Sequence, residues 1–155
     1  MRKYFKISLL LMFIWTTARA QTGISFYTDT FIGIDSPLFE IADRTLVGEI
    51  KIATSRKGFE LATGAIEIDL FYPTLSGEFH HLNLGFGIQV DVFDRLTYGN
   101  SFVLPIRLRL SPWKKMKQLS ILFELAPILN FEGDQGNLRS LAGIRYSLTN
   151  LSKSN

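Results

Sequence analysis

A strict two-residue alternation is the feature that most constrains this chain. In His81–Phe93, Leu82, Leu84, Phe86, Ile88, Val90 and Val92 fall on one face, and His81, Asn83, Gly85, Gly87, Gln89 and Asp91 on the other. Successive side chains of a strand point to opposite faces, so this pattern specifies an extended segment with one apolar and one polar or tiny face. The pattern recurs along the chain. Ile66, Ile68, Leu70 and Tyr72 oppose Thr63, Ala65, Glu67 and Asp69, and Phe102, Leu104, Ile106, Leu108 and Leu110 oppose Arg107 and Arg109. Ile121, Phe123, Leu125, Leu129 and Phe131 oppose Ser120, Glu124 and Asn130. Ala142, Ile144, Tyr146 and Leu148 oppose Arg139, Gly143, Arg145 and Ser147, while Leu46, Ile50 and Ile52 oppose Glu49 and Lys51. Gly23–Ile34 reads as a weaker, aromatic-rich first strand. Turn chemistry separates the segments at Ser55–Gly58, Tyr98–Asn100 and Glu132–Asn137.

Long apolar faces opposite single mid-strand charges predict an all-β fold with inverted polarity. The expected architecture is an antiparallel up-and-down transmembrane β-barrel whose apolar residues face lipid. Glu49, Lys51, Glu67, Asp69, Asp91, Arg107, Arg109, Glu124, Arg139 and Arg145 would then line the lumen, five acids against five bases. A closed interior requires such near-neutrality, because an unpaired buried charge costs several kcal/mol. Pairing Ser101–Ser111 with Leu119–Phe131 sets Glu124 opposite Arg107 or Arg109, with Gly85 and Gly87 leaving room for the long side chains. Seven segments are clear, whereas a bacterial barrel has an even number of strands. An eighth is expected from Asp35–Thr45 around Pro37 or from a split of the first segment. Pro105 and Pro127 are expected at bulges. Phe71, Tyr72, Phe93, Tyr98, Trp113 and Phe131, at strand ends, fit an interfacial aromatic girdle.

Charge and composition locate the chain. Arg2, Lys3, Lys6 and Arg19 lie in the first twenty residues, followed or enclosed by the nine-residue apolar run Ile7–Trp15 and by Ala18-Arg19-Ala20. This is the make-up of a cleaved secretory signal over 1–20, too short to span a bilayer as a helix, which takes roughly 20 apolar residues. The remainder, 21–155, reads as one barrel domain with thirteen basic and fourteen acidic side chains, so the basic pI belongs to the leader and not to a nucleic-acid surface. The absence of cysteine excludes disulfide scaffolds and thiolate metal sites.

The stretches Phe102–Leu110 (FVLPIRLRL), Phe123–Pro127 (FELAP) and Ala142–Tyr146 (AGIRY) resemble the small outer-membrane β-barrel proteins of Bacteroidetes-type bacteria. The resemblance implies a barrel of this length, exported by a signal and inserted in the outer membrane.

No chemistry is declared by the remaining motifs. His80 and His81 are adjacent, hence on opposite faces of a strand, and cannot both ligate one metal. Glu67 and Asp69 share a face as an acid–base pair would, but lumen packing explains them more simply. Lys114, Lys115 and Lys117 form the densest basic patch beyond the leader, which reads first as a solvated turn and would contact lipopolysaccharide phosphates if their hairpin faces outward. The expected protein is therefore a non-enzymatic outer-membrane barrel with a charge-plugged lumen and a structural, accessory or adhesive role, without cofactor, metal or nucleic acid. Its partners are outer-membrane lipids. Two alternatives stay open: a lipid A-modifying enzyme, which needs an acid near His80 or His81 and a serine in reach, Ser76 or Ser101, and a soluble periplasmic barrel or sandwich binding an apolar ligand.

Overall fold

A computed structural model describes residues 22–54, 63–91, 100–113, 115–116, 118–131 and 136–148. The leader expected over 1–20 lies outside them. The strands are β1 (Gly23–Tyr27), β2 (Phe31–Ile41), β3 (Arg44–Thr54), β4 (Thr63–Ser76), β5 (His80–Asp91), β6 (Ser101–Val103), β7 (Ile106–Leu110), β8 (Leu119–Asn130) and β9 (Gly136–Ser147). Each wall strand pairs antiparallel with its successor. β9 returns to β1, from Gly23 opposite Ser147 to Tyr27 opposite Gly143, and closes the sheet. β6 and β7 both pair with β5 on one side and β8 on the other, so they are two parts of one strand in an eight-stranded barrel. Closure leaves the wall without open edges where all eight strands run together.

Both sources considered for the eighth strand contribute to it. The first segment splits at a 3-10 turn, Thr28–Thr30, where Thr30 takes a positive φ of 63° and reverses the chain. The second half then continues past Pro37 to Ile41. β2 and β3 are joined by Ala42 and Asp43 alone, with φ of 49° and 62°, the left-handed pair that a tight antiparallel hairpin requires.

Prolines act differently from expectation. Val103 pairs with Gly87 and Ile106 with Leu84, so both strands advance three residues and the register passes Pro105 unchanged. It passes Pro127 unchanged as well, opposite Leu138. No bulge is needed because each proline removes only one bond of a two-bond pair: Gly85 N–H still donates to Pro105 O at 2.7 Å, and Leu104 N–H to Pro127 O at 3.0 Å. Bulges occur instead beside Pro37 and Pro73, where Leu38 and Thr74 are the extra residues. Arg44 secures the second, donating to the carbonyls of Pro73 and, at 2.7 Å, Thr74, while Thr74 Oγ1 donates to Leu82 O at 2.8 Å.

The alternation divides the wall into two surfaces. Cross-strand pairs run Ile34–Ile50–Ile68–Ile88–Phe102–Leu129 around the outside, each side chain exposed. The inner surface carries Glu49, Lys51, Glu67, Asp69, Arg107 and Glu124, all buried. Tyr72, Trp113 and Phe131 stand exposed near strand ends, whereas Phe93 and Tyr98 lie outside the described residues. Phe71 departs from the girdle expected of it: it is 1% exposed, inside the barrel, on the inward parity of Glu67 and Asp69.

Two ends can be distinguished. The proximal end carries the start of β1, the finish of β9, and the links Ala42–Asp43, Gly77–Phe79 and Ser111–Gln118. The distal end carries Thr28–Thr30 and the connections that span 55–62, 92–100 and 131–135 in the sequence.

Candidate functional site

The middle of the lumen is filled by one ion-pair network. Lys51 projects from β3 with no solvent exposure, and its Nζ lies 2.7 Å from Glu67 Oε1 and 2.6 Å from Glu124 Oε1. Asp69 Oδ2 is 2.8 Å from the same ammonium, an ion contact without the alignment of a hydrogen bond. Arg107 donates from Nε at 3.1 Å and Nη2 at 2.6 Å to Glu124 Oε2, and also from Nη2 to Glu49. Arg139 grips Glu67 with both nitrogens, at 2.6 and 2.7 Å, and reaches Glu124 at 3.2 Å and Gln89 at 3.3 Å. The Tyr27 hydroxyl donates to Glu49 Oε1 at 2.9 Å.

Register explains why these groups meet. Arg107 stands opposite Glu124. Lys51 stands opposite Glu67, but Asp35, Glu49 and Asp69 form a row of like charges across β2, β3 and β4. Like charges directly opposed are destabilising, so this row needs cations arriving from elsewhere in the wall. Arg107 reaches Glu49 from β7 and Arg145 reaches Asp35 from β9, while Lys51 meets Asp69. Aromatic faces line the remaining space: the Arg107 guanidinium sits 3.7 Å from the Phe71 ring centre, and that of Arg139 5.0 Å from Phe31. The small residues serve different neighbours from those expected. Gly87 admits the Asp69 carboxylate, and Gly85 admits the Phe71 ring and Pro105.

Toward the proximal end lies a second, smaller group. Arg145 forks onto Asp35, Nε to Oδ2 at 2.7 Å and Nη2 to Oδ1 at 2.6 Å. Arg109 is inward-facing beside them, opposite His81 on β5 and Leu122 on β8. These groups border a cavity of about 910 Å³ that opens between the proximal links and is lined by Asp35, His81, Asn83, Arg107, Arg109 and Arg145, among others.

Of the ten lumen residues expected, seven join the central network (Glu49, Lys51, Glu67, Asp69, Arg107, Glu124 and Arg139). Arg145 and Arg109 occupy the proximal group. Asp91 pairs with Ala65 in register, but its side chain lies outside the described residues. Asp35, Tyr27 and Gln89 were not expected. Asp35 and Tyr27 follow from continuing the parity of Ser25 and of Phe31 and Gly33; Gln89 lies on the polar face already recognised.

The two histidines stand in different surroundings. His80 is exposed, and His81 faces the cavity with Ser76 as its cross-strand neighbour, but no hydrogen bond joins that pair among the described residues. The nearby Asp35 is held by Arg145. Ser101 is a buried serine that bonds Asn130 at 2.9 Å, toward the opposite end. Among the described residues no group of three potential ligands could hold a metal ion. Lys115 is exposed in the Ser111–Gln118 link, with Lys114 and Lys117 outside the described residues. No protein-family model, curated protein or solved structure matches the chain.

Proposed function

We propose that this chain is a small, non-enzymatic outer-membrane β-barrel with a structural, accessory or adhesive role, its lumen closed by the ion-pair network. One observation carries the reading: polarity is inverted. Ile68 is 58% and Phe86 50% exposed on the outer wall, while Lys51 and Glu67 are wholly buried within. In water such a wall would expose far more contiguous apolar surface than the few hundred Å² a soluble monomer usually shows. In a bilayer it meets lipid, and the backbone of every wall strand is hydrogen-bonded to neighbours as hydrocarbon demands. Eight strands enclose room for side chains and no aqueous pore, consistent with a plug of charges in that space.

Orientation follows from the ends. Bacterial barrels keep short turns in the periplasm and longer loops outside. Two of the three proximal links, Ala42–Asp43 and Gly77–Phe79, have two and three residues, against one three-residue turn among four distal connections, which supports a periplasmic proximal end. In that orientation Lys115 would lie at the periplasmic end, away from the lipopolysaccharide leaflet. An internal apolar ligand is disfavoured by an interior of charges.

The test is fractionation of tagged protein from a Gram-negative host, with migration on a denaturing gel before and after boiling. Recovery in the outer membrane with a shifted unboiled band is expected. A soluble, heat-insensitive species would overturn the proposal.

A further inference from the structure

Arg109 is the cation that the lumen leaves over. Each of Lys51, Arg107, Arg139 and Arg145 contacts at least one carboxylate within 3.2 Å. Arg109 has no hydrogen bond or ion pair among the described residues, and its Nε is buried without a partner. The carboxylate that acts on it through space, Asp35, already has both oxygens forked by Arg145. Its Nε is withdrawn from water while the residue as a whole is half-buried, so the guanidinium borders the open cavity with no counter-charge in contact among the described residues.

The surroundings select the sign and shape of what could pair with it. His81 faces Arg109 across β5 and β7, and Asn83 follows on the same inward face, so an arginine fork, an imidazole and an amide border one space. Arginine matches carboxylate and phosphate oxygens in a planar, two-point geometry that no cation or neutral apolar group can use. Of the apolar residues that border the same space, Val47 is part-exposed, while Phe71 and Leu122 are buried behind it. The acids Glu40 and Asp43 also line the cavity, but they are exposed at its rim, where water screens them. A volume of about 910 Å³ is within the range of small-molecule sites.

We propose that the proximal cavity binds a small organic oxyanion, a carboxylate or a phosphate ester, through Arg109 with His81 and Asn83. The proposal does not depend on where the barrel resides. It is tested on the full chain in detergent micelles by titrating inorganic phosphate and, separately, ¹³C-labelled acetate, and following line broadening of the probe's own NMR signal. Saturable broadening is expected, with phosphate alone responding if the ligand is a phosphate ester and acetate alone if it is a carboxylate. Arg109→Gln should weaken binding by about tenfold or more, and Arg109→Lys, which keeps the charge but not the two-point fork, should weaken it less than Arg109→Gln. The urea midpoint of Arg109→Gln should equal or exceed the parent's, since it removes an unpaired charge. Absence of broadening with both probes, or equal broadening in parent and Arg109→Gln, would overturn the site. So would an Arg109→Gln chain that fails to fold, because it would mean that Arg109 is already satisfied.

Discussion

Lys51 illustrates how an isolated residue acquires its meaning from three strands at once. On sequence it is one lysine among isoleucines; in the barrel it lies among Glu67, Asp69 and Glu124, with Glu49 at 4.0 Å. Replacing it with methionine would leave those carboxylates facing one another without an ammonium. Lys51→Met should therefore lower the unfolding free energy by about 3–5 kcal/mol, read from urea titration of detergent-refolded protein. Adding Asp69→Asn to the same chain should recover part of the loss, and a single substitution with no effect would show that the network is not what holds the lumen. At this scale the sequence was largely legible, because parity alone assigns side chains to faces. Phe71 shows where the reading failed. It was grouped with Tyr72 as an interfacial pair on residue type, although the two-residue period that placed Glu67 and Asp69 inside also places Phe71 there. Its role under Arg107 was not visible, since that contact joins β4 to β7 across the lumen.

Strands and turns were legible in number and less so in their irregularities. Two possible origins of the eighth strand were recognised, and both are used, because the Thr28–Thr30 turn costs the wall only three residues. The prolines were visible, but their consequences depend on which neighbour loses a bond, and that is a property of register. Pro105 withholds a donor from Gly85, and Pro127 withholds one from Leu104, so two adjacent ladder positions weaken while pairing on both sides continues in step. Pro37 and Pro73 lie near the proximal end, where an extra residue can be taken up and, at Pro73, held by Arg44. The turn between β2 and β3 gives a prediction of its own. Ala42 and Asp43 both occupy left-handed backbone, which an L-residue with a β-carbon resists. The double substitution Ala42→Asn and Asp43→Gly supplies the residues this turn prefers and should raise stability by about 1 kcal/mol, measured by the same urea titration. An unchanged or lowered midpoint would show that strain at this hairpin is relieved by other contacts.

At the scale of the whole molecule, the physical question is what solvent the outer wall meets, and the wall itself can be made to answer. Ile68 stands in the apolar row that runs from Ile34 to Leu129, near the middle of β4, while Leu75 stands on the same strand next to the Gly77–Phe79 turn. Both are strongly exposed, 58% and 60%, so burial by protein does not distinguish them. In water each substitution by arginine would change stability by no more than about 0.5 kcal/mol, as at ordinary surface positions. In a bilayer the two must diverge, because the cost of an arginine depends on depth, about 2–4 kcal/mol at the midplane and about 0–1 near the interface. Ile68→Arg is therefore expected to destabilise the barrel by roughly that larger amount in lipid vesicles, and Leu75→Arg by the smaller. Neither substitution touches the lumen, so the charge network is common to both and cancels in the comparison. Equal, small effects at the two positions would mean that the apolar row faces water or another protein surface. A graded loss from Leu75 to Ile68 would measure the hydrocarbon boundary along β4 directly, since the extra residue Thr74 brings Leu75 onto the same outer face as Ile68.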